Sequence, residues 1–353
     1  MVRIGDRVIG EEQTVYIIAE LSANHGGDVN RAKEIIRQAK AAGADAVKLQ
    51  TYRANTITLD CDKPDFSLPT QSAWAAHDTL YSLYDKAHTP WEWHQTLFDE
   101  AKRVGIDIFS SPFDVTAVDL LESLGTPAYK IASPEITDIP LLKYVAQTGK
   151  PVILSTGIAT LDDIELAVKT LRSNGCEELV ILKCTTAYPT PYEECNLLTI
   201  PDLAKRFSCV VGLSDHTLGL ASPITATALG AKVIEKHFIL DNCHDSVDGF
   251  FSLDQHEFRK MVTEVRNAEK SLGKINYQIT VEADKNMLAR RSLYFCKSMK
   301  CGESITESTI RSVRPGFGLH PKYYEQILGC HLAQDVEFGD RVTAGAIEGF
   351  EVK

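Results

Sequence analysis

Residues 30–52 read NRAKEIIRQAKAAGADAVKLQTY, and this stretch decides the fold class. Asn30–Ala42 is amphipathic: Ala32, Ile35, Ile36 and Ala39 fall at the spacing of one helical face. Gly43 follows where a left-handed C-terminal cap belongs. Ala46–Tyr52 then reads as a strand, in which Lys48 and Gln50 share one face because side chains alternate with period two. Working outward, the same unit recurs. Strands are expected at Tyr16–Leu21, Asp107–Pro112, Ala128–Ser133, Pro151–Thr156, Leu179–Cys184, Val210–His216 and Val233–Phe238. Amphipathic stretches lie between several of them, at Trp91–Val104, Ile139–Thr148, Leu161–Ser173 and Ser222–Leu229, with Gly105, Gly125, Gly149, Gly175 and Gly230 closing helical patterns. Eight such units in roughly 240 residues predict an α/β chain folded as a closed (β/α)8 TIM barrel. No G-x-G-x-x-G follows the first strand, which weakens a dinucleotide-binding alternative.

Two departures from the period define the remaining organisation. Tyr52 and Asp107 are separated by an insertion carrying Trp74, Tyr81, Tyr84, Trp91 and Trp93. An insertion on this face of a barrel usually covers the substrate, and most of its rings read as the packing of a small helical subdomain. Past Phe238, a helix at Asp254–Leu272 leads into a polar stretch. After it come short strands and turns, SLYFCKSM, CGESIT, RSVRPGFGLH and CHLAQDVEFGD. The expected division is a barrel domain at 1–275, a linker at 276–289 and a mostly-β domain at 290–353, too small to bury much core unaided.

The 353-residue chain is 44% hydrophobic and 24% charged, a globular composition that excludes disorder and fibrous repeats. Its net charge of −11 argues against nucleic acid as a partner. A cleft with a few clustered cations can still take a small anion. Nine cysteines, an odd number without a C-x-x-C pair, read as free thiols in a reducing cytoplasm. MVRIGDRVIG lacks a signal-peptide core, and no apolar run approaches the ~20 residues of a membrane span. A soluble, cytoplasmic protein without membrane partners is expected.

Polar residues crowd the C-terminal ends of all eight strands, the face where barrel enzymes keep their sites. Glu20 ends the first, Lys48 and Gln50 the second, and Ser111 the third. Lys130, Ser133 and Glu135 follow, then Ser155, then Lys183, Thr185 and Thr186. Ser214 and His216 close the seventh strand, Glu235 and His237 the eighth. Unpaired buried charge is costly, so Glu20, Lys48, Lys130 and Glu235 together read as a site, whereas any one alone fits a structural ion pair. Lysines among hydroxyls suit a phosphate or carboxylate. The same lysines could instead pair with Glu20 and Glu235 and bind nothing, or Lys130 or Lys183 could form a Schiff base. His216 and His237 could hold a divalent cation or simply hydrogen-bond. Asp248 lies in a loop able to return over the mouth. The histidines at 25, 77, 88, 94, 244, 256, 320 and 331 read as surface or core residues.

IAELSANHGG, VKLQTY, SSPFD, YKIASPEITDIP, ILSTGIAT, CTTAYPTP, GLSDHT and VIEKHF together resemble the sialic acid synthase family. RSVRPGFG resembles its C-terminal antifreeze-like (SAF) domain. Within the family, YKIASPEITDIP, TLYSLYDKAHTPWEWH and VDGFFSLDQHEF are most similar to the branch that makes pseudaminic acid. The resemblance implies condensation of phosphoenolpyruvate with a 2,4-diacetamido-2,4,6-trideoxy hexose, releasing phosphate by C–O cleavage. It implies a metal, Mn²⁺ with Mg²⁺ or Co²⁺ as substitutes, on His216 and His237. By motif match Lys48, Gln50, Ser111, Lys130, Ser133, Ser155 and Ser214 line the substrate site, chiefly around phosphoenolpyruvate. Glu20, Glu235 and Glu135 match acid–base carboxylates. Glu135, Tyr188 and Asp248 match sugar-side positions, with Thr186 where sialic acid synthases carry asparagine. Arg314 resembles the SAF arginine that reaches a partner subunit's barrel, which implies a domain-swapped homodimer. A sister synthase, a Schiff-base aldolase and a non-enzymatic carbohydrate-binding barrel are the competing readings.

Overall fold

The computed structural model describes residues 1–69, 74–75, 77–241 and 246–352. Cys243 and His244, read above as a free thiol and as a surface or core histidine, lie outside the described residues. The chain divides into two compact units, Met1–Gly273 and Lys274–Lys353.

The first unit is a closed barrel of eight parallel strands with helices outside. A hairpin of β1 (Val2–Ile4) and β2 (Arg7–Ile9) precedes it and was not anticipated from sequence. The barrel strands are β3 (Tyr16–Glu20), β4 (Ala46–Thr51), β5 (Asp107–Pro112), β6 (Tyr129–Ile131), β7 (Val152–Ser155), β8 (Leu179–Cys184), β9 (Val210–Asp215) and β10 (Val233–His237). They pair in chain order, and β10 closes onto β3 with His237 opposite Glu20. Each lies within its predicted span. β6 is shorter than its expected span because Ser133–Thr137 leaves the sheet as a 3-10 turn. Helices Val115–Ser123 and Thr199–Phe207 complete the outer ring.

Alternation sorts the strand residues into two cores. Tyr16, Ile18, Ala46, Phe109, Ala128, Ile153, Val180, Leu182 and Val233 fill the barrel interior. Ile17, Val47, Leu49, Ile108, Ile131, Leu154, Ile181 and Ile234 face the helices. Helix Val29–Ala42 buries Ala32, Ile35, Ile36, Ala39 and Ala42 and ends at Gly43, whose φ of 97° is the left-handed cap its position called for.

The hairpin seals the bottom. Val2, Ile4 and Ile9 join the interior core. Arg3 N–H donates to Glu178 at 2.9 Å, and Arg7 pairs with Asp45 at 2.8 Å, anchoring it near strand starts. Cavities of about 710 and 520 Å³ lie around this end, lined by residues such as Arg7, Asp45 and Asp107 in one and Gly10 and Lys232 in the other. They are remote from the polar strand ends.

The second unit pairs β11 (Ser292–Phe295) with β12 (Ile310–Val313) and is otherwise built from turns and isolated bridges. It encloses its own core of Leu293, Phe295, Ile305, Ile310, Ile327, Leu332 and Val342, more than its length led us to expect. Among the described residues, no helix is long and apolar enough to cross a membrane.

Candidate active site

Along each barrel strand the inward face changes from apolar to polar toward the C-terminal end. Tyr16 and Ile18 give way to Glu20, Ala46 to Lys48 and Gln50, Phe109 to Ser111, and Ala128 to Lys130. Ile153 gives way to Ser155, Leu182 to Cys184, and Val233 to Glu235 and His237. The apolar layers support a buried polar floor.

Lys48 Nζ lies 2.6 Å from Glu20 Oε2 and 3.7 Å from Glu235 Oε1. Lys130 Nζ approaches the same Glu235 oxygen at 3.7 Å, and Ser214 Oγ donates to it at 3.0 Å. Ser111 Oγ accepts from Lys48 at 3.4 Å. Gln50 Nε2 donates to Glu20 Oε1 and to Ser22 Oγ, each at 3.0 Å. The floor splits its two carboxylates. Burial pushes Glu20 up, and the neighbouring Glu235 charge reinforces this against Lys48. Burial also disfavours the Glu235 charge, but Lys130, Lys48 and the Ser214 hydroxyl hold it below the ordinary range. Burial is the main force lowering Lys130; for Lys48, Glu20 and Glu235 overcome burial and keep it charged.

His216 and His237 come together, their ring centroids 5.3 Å apart. His216 Nδ1 lies 3.1 Å from the Thr185 carbonyl, a contact that puts the proton of the neutral ring on Nδ1; burial disfavours its charge, but Cys184 and this carbonyl raise its pKa. Burial and then the His216 charge hold His237 well below its ordinary value, as a neutral imidazole. Cys184, absent from the sequence-derived set, lies 3.9 Å from His216 Nδ1. Burial raises this thiol, but His216, Ser133 and Lys130 bring it down to about 7. Among the described residues, no third His, Cys, Asp or Glu completes a metal cluster.

Above the floor, Ser133 Oγ accepts from Gly157 N–H at 2.9 Å. A Cβ on Gly157 would fall 2.1 Å from Thr186 Oγ1 and 2.7 Å from Ser133 Oγ, so only glycine fits this approach. Burial pushes the Glu135 carboxyl up to about 8. Tyr188 packs against His216 and Phe251, with centroids at 4.5 and 5.0 Å. Asp248 is half-buried and accepts from Ser22 Oγ.

Buried Ser155 Oγ, Thr186 Oγ1, Glu135 Oε2, Glu235 Oε2 and His237 Nδ1 have no hydrogen-bond partner. An unpaired buried polar atom costs about 1–3 kcal/mol. Several around one mouth mark a place built for a ligand.

Some strand-end residues lie elsewhere. Asp215 and Lys236 share the outward face and form a buried ion pair outside the barrel interior. Lys183 lies next to inward Leu182 and Cys184 in the alternation; its Nζ donates to the Cys184 carbonyl at 2.6 Å and to Thr185 Oγ1. This parity turns it away from the floor and removes it as a Schiff-base candidate. Arg314 is exposed at the end of β12 in the second unit. Trp74 is the exception among the insertion rings, most of which read as subdomain packing. It meets Tyr188 at 5.6 Å and donates to the Val247 carbonyl at 3.1 Å, facing the mouth. Tyr84 and Trp91 behave as expected, against Tyr52 and under Arg53.

The NeuB family pattern matches residues 35–277. The chain belongs to the NeuB family. A SAF domain pattern matches residues 290–348, within the second unit. Among NeuB relatives, the chain is 46% identical to the pseudaminic acid synthase of Campylobacter jejuni, covering 93% of this chain and 95% of the relative. It is 43% identical to the pseudaminic acid synthase of Helicobacter pylori, over 95% and 98%. The crystal structure of N-acetylneuraminic acid synthetase from Leptospira borgpetersenii in complex with citrate superposes with a TM-score of 0.72 at 30% identity. That match covers 81% of this chain and 94% of the other.

Proposed function

We propose that the chain catalyses the pseudaminic acid synthase reaction. In it, phosphoenolpyruvate condenses with 2,4-diacetamido-2,4,6-trideoxy-β-L-altrose to give pseudaminic acid and phosphate. The observation that carries this reading is the donor-rich floor, where Lys48 and Lys130 both approach Glu235 and the inward Ser155 hydroxyl is buried without a partner. The relatives of stated activity at 46% and 43% identity supply the sugar.

Lys48 and Lys130, with Ser111, Ser133, Ser155 and Ser214, hold the phosphate and carboxylate of phosphoenolpyruvate. Gln50 orients Glu20. Thr186, Tyr188, Glu135 and Asp248 face the sugar. The enol carbon attacks the open-chain aldehyde, water adds to the resulting oxocarbenium carbon, and collapse of the tetrahedral carbon expels phosphate. Opposite pKa directions divide the acid–base work: Glu20, pushed up, donates a proton to the aldehyde oxygen, and Glu235, held ionised, accepts one from water. The raised Glu135 stays protonated at neutral pH and donates to a sugar oxygen.

The two imidazoles fit a divalent cation: His216 Nε2 is free to ligate, His237 is neutral, and its Nδ1 is unpartnered. Mn²⁺, with Mg²⁺ or Co²⁺ as substitutes, would polarise the aldehyde as a Lewis acid when held there. We place the enzyme in the cytoplasm, with residues 276–289 as a linker and Arg314 serving the barrel of a second copy in a domain-swapped homodimer. Mixing inactive Arg314→Ala and His216→Ala subunits should restore part of the activity if Arg314 acts in trans, and none if it does not.

The deciding assay is phosphate release from phosphoenolpyruvate with Mn²⁺, offering the diacetamido altrose and N-acetylmannosamine in parallel with EDTA controls. Turnover with the altrose alone supports the reading; preference for N-acetylmannosamine replaces it with a sister synthase. Lys130, lowered by burial, also suits a Schiff base. Trapping of a borohydride-stable adduct, indifferent to EDTA, would move the assignment to an aldolase.

A further inference from the structure

The loop after β10 is fastened to the mouth by the turn that follows β3. Ser246 Oγ donates to Asn24 Oδ1 at 2.6 Å. Asn24 Nδ2 donates to the Phe238 carbonyl and to Ser252 Oγ, both at 2.9 Å. Ser252 Oγ in turn donates to the Asp248 carbonyl at 2.6 Å. The Asp248 carboxylate has a separate tether, accepting a hydrogen bond from Ser22 Oγ. That hydroxyl also accepts from Gln50 Nε2, which reaches back to Glu20.

Ser22 is buried, at 2% exposure, and its φ of 48° is left-handed. Glycine occupies that region freely, whereas a side chain is disfavoured there. The turn alone would be satisfied by glycine, so what serine adds is the hydroxyl. Strain of this kind persists where surrounding contacts fix it, and it gathers at functional sites.

We propose that Ser22 is a positioning residue of the sugar half-site. Its hydroxyl, bridging Gln50 on the barrel and Asp248 on the loop, sets where the Asp248 carboxylate meets the acetamido sugar. The proposal rests on the reading of Asp248 as sugar-facing and adds the residue that aims it. Phosphoenolpyruvate, held by Lys48 and Lys130, should feel Ser22 only weakly, through Gln50, whose hydrogen bond to Glu20 remains without it.

Ser22→Gly tests this cleanly, because it removes the hydroxyl while relieving the backbone. Its thermal midpoint should be no lower than wild type. The sugar KM should rise about tenfold, the loss of one charge-assisted hydrogen bond, while the phosphoenolpyruvate KM stays within about twofold. Ser22→Gly combined with Asp248→Asn should be no worse than Asp248→Asn alone. An unchanged sugar KM, equal rises for both substrates, or additive losses would each overturn the proposal. Amide exchange across residues 246–252 without substrate gives a readout independent of turnover. It should quicken in Ser22→Gly, and unchanged exchange counts against the tether. Should the wild-type enzyme refuse the sugar, the assigned reaction falls while exchange still decides the tether.

Discussion

Lys48 Nζ lies 2.6 Å from Glu20 Oε2, with their side chains 5% and 1% exposed. Breaking a buried pair by removing one partner costs about 3–5 kcal/mol, because the remaining charge is left without compensation. Here Glu20 would keep only its Gln50 hydrogen bond, and Glu235 only Lys130 at 3.7 Å and the Ser214 hydroxyl. Lys48→Met should therefore raise the phosphoenolpyruvate KM at least about a hundredfold and lower stability by a few kcal/mol. Steady-state kinetics and urea denaturation check both, and a variant as stable as wild type with normal KM would remove Lys48 from the floor.

The Glu135 carboxyl, raised by burial from 4.5 to about 8, makes stability depend on pH. The folded state holds this proton more tightly than the unfolded chain. Its contribution is therefore complete below about pH 4.5 and is lost as pH rises through about 8. The melting temperature of wild type minus that of Glu135→Gln should fall across that window. A flat difference would show that the carboxyl is not held protonated.

His216→Ala and His237→Ala should each abolish turnover, by at least about a thousandfold, while the circular dichroism spectrum persists. Calorimetric titration with Mn²⁺ should lose its binding signal in both. Near-normal turnover by either variant in EDTA-treated buffer would overturn the metal assignment.

Gly157→Ala would drive a Cβ to 2.1 Å from Thr186 Oγ1 and 3.0 Å from Cys184 Sγ. Overpacking of this kind costs about 1–3 kcal/mol. Displacing Ser133 and Thr186 should weaken binding of both substrates. Denaturation midpoints and the two KM values measure the effect.

Asp215 and Lys236 offer a contrasting variant. Lys236 Nζ also donates to the Thr217 carbonyl at 2.6 Å, and the pair faces away from the floor. Asp215→Ala should cost about 3–5 kcal/mol in urea denaturation. Substrate KM values should hold at temperatures where the variant stays folded.

How much was readable beforehand follows from what each residue signals locally. Lys48, Gln50, Glu235 and His237 were legible because period-two alternation states which side chains share a face. The same parity separates Lys183 and Asp215 from the floor. Ser22 was invisible as a site residue: its importance depends on a left-handed φ that serine rarely adopts and on a loop distant in sequence. Trp74 could not be singled out among the insertion rings, because an aromatic in an insertion does not say which side it faces. The hairpin was missed because strands of three residues are too short for alternation to show. Cys184 lay on an inward position, but a buried cysteine ordinarily reads as packing.

That hairpin has a kinetic consequence. With Val2, Ile4 and Ile9 closing the base beneath an interior filled by Tyr16, Phe109 and their neighbours, the described residues leave ligands to approach from the polar strand ends. Phosphoenolpyruvate, on the lysine floor proposed for it, would enter before the sugar, and released phosphate could escape only after the nine-carbon acid stands aside. Initial-rate patterns should then be those of a compulsory queue, and product inhibition by phosphate should compete with phosphoenolpyruvate and not with the sugar.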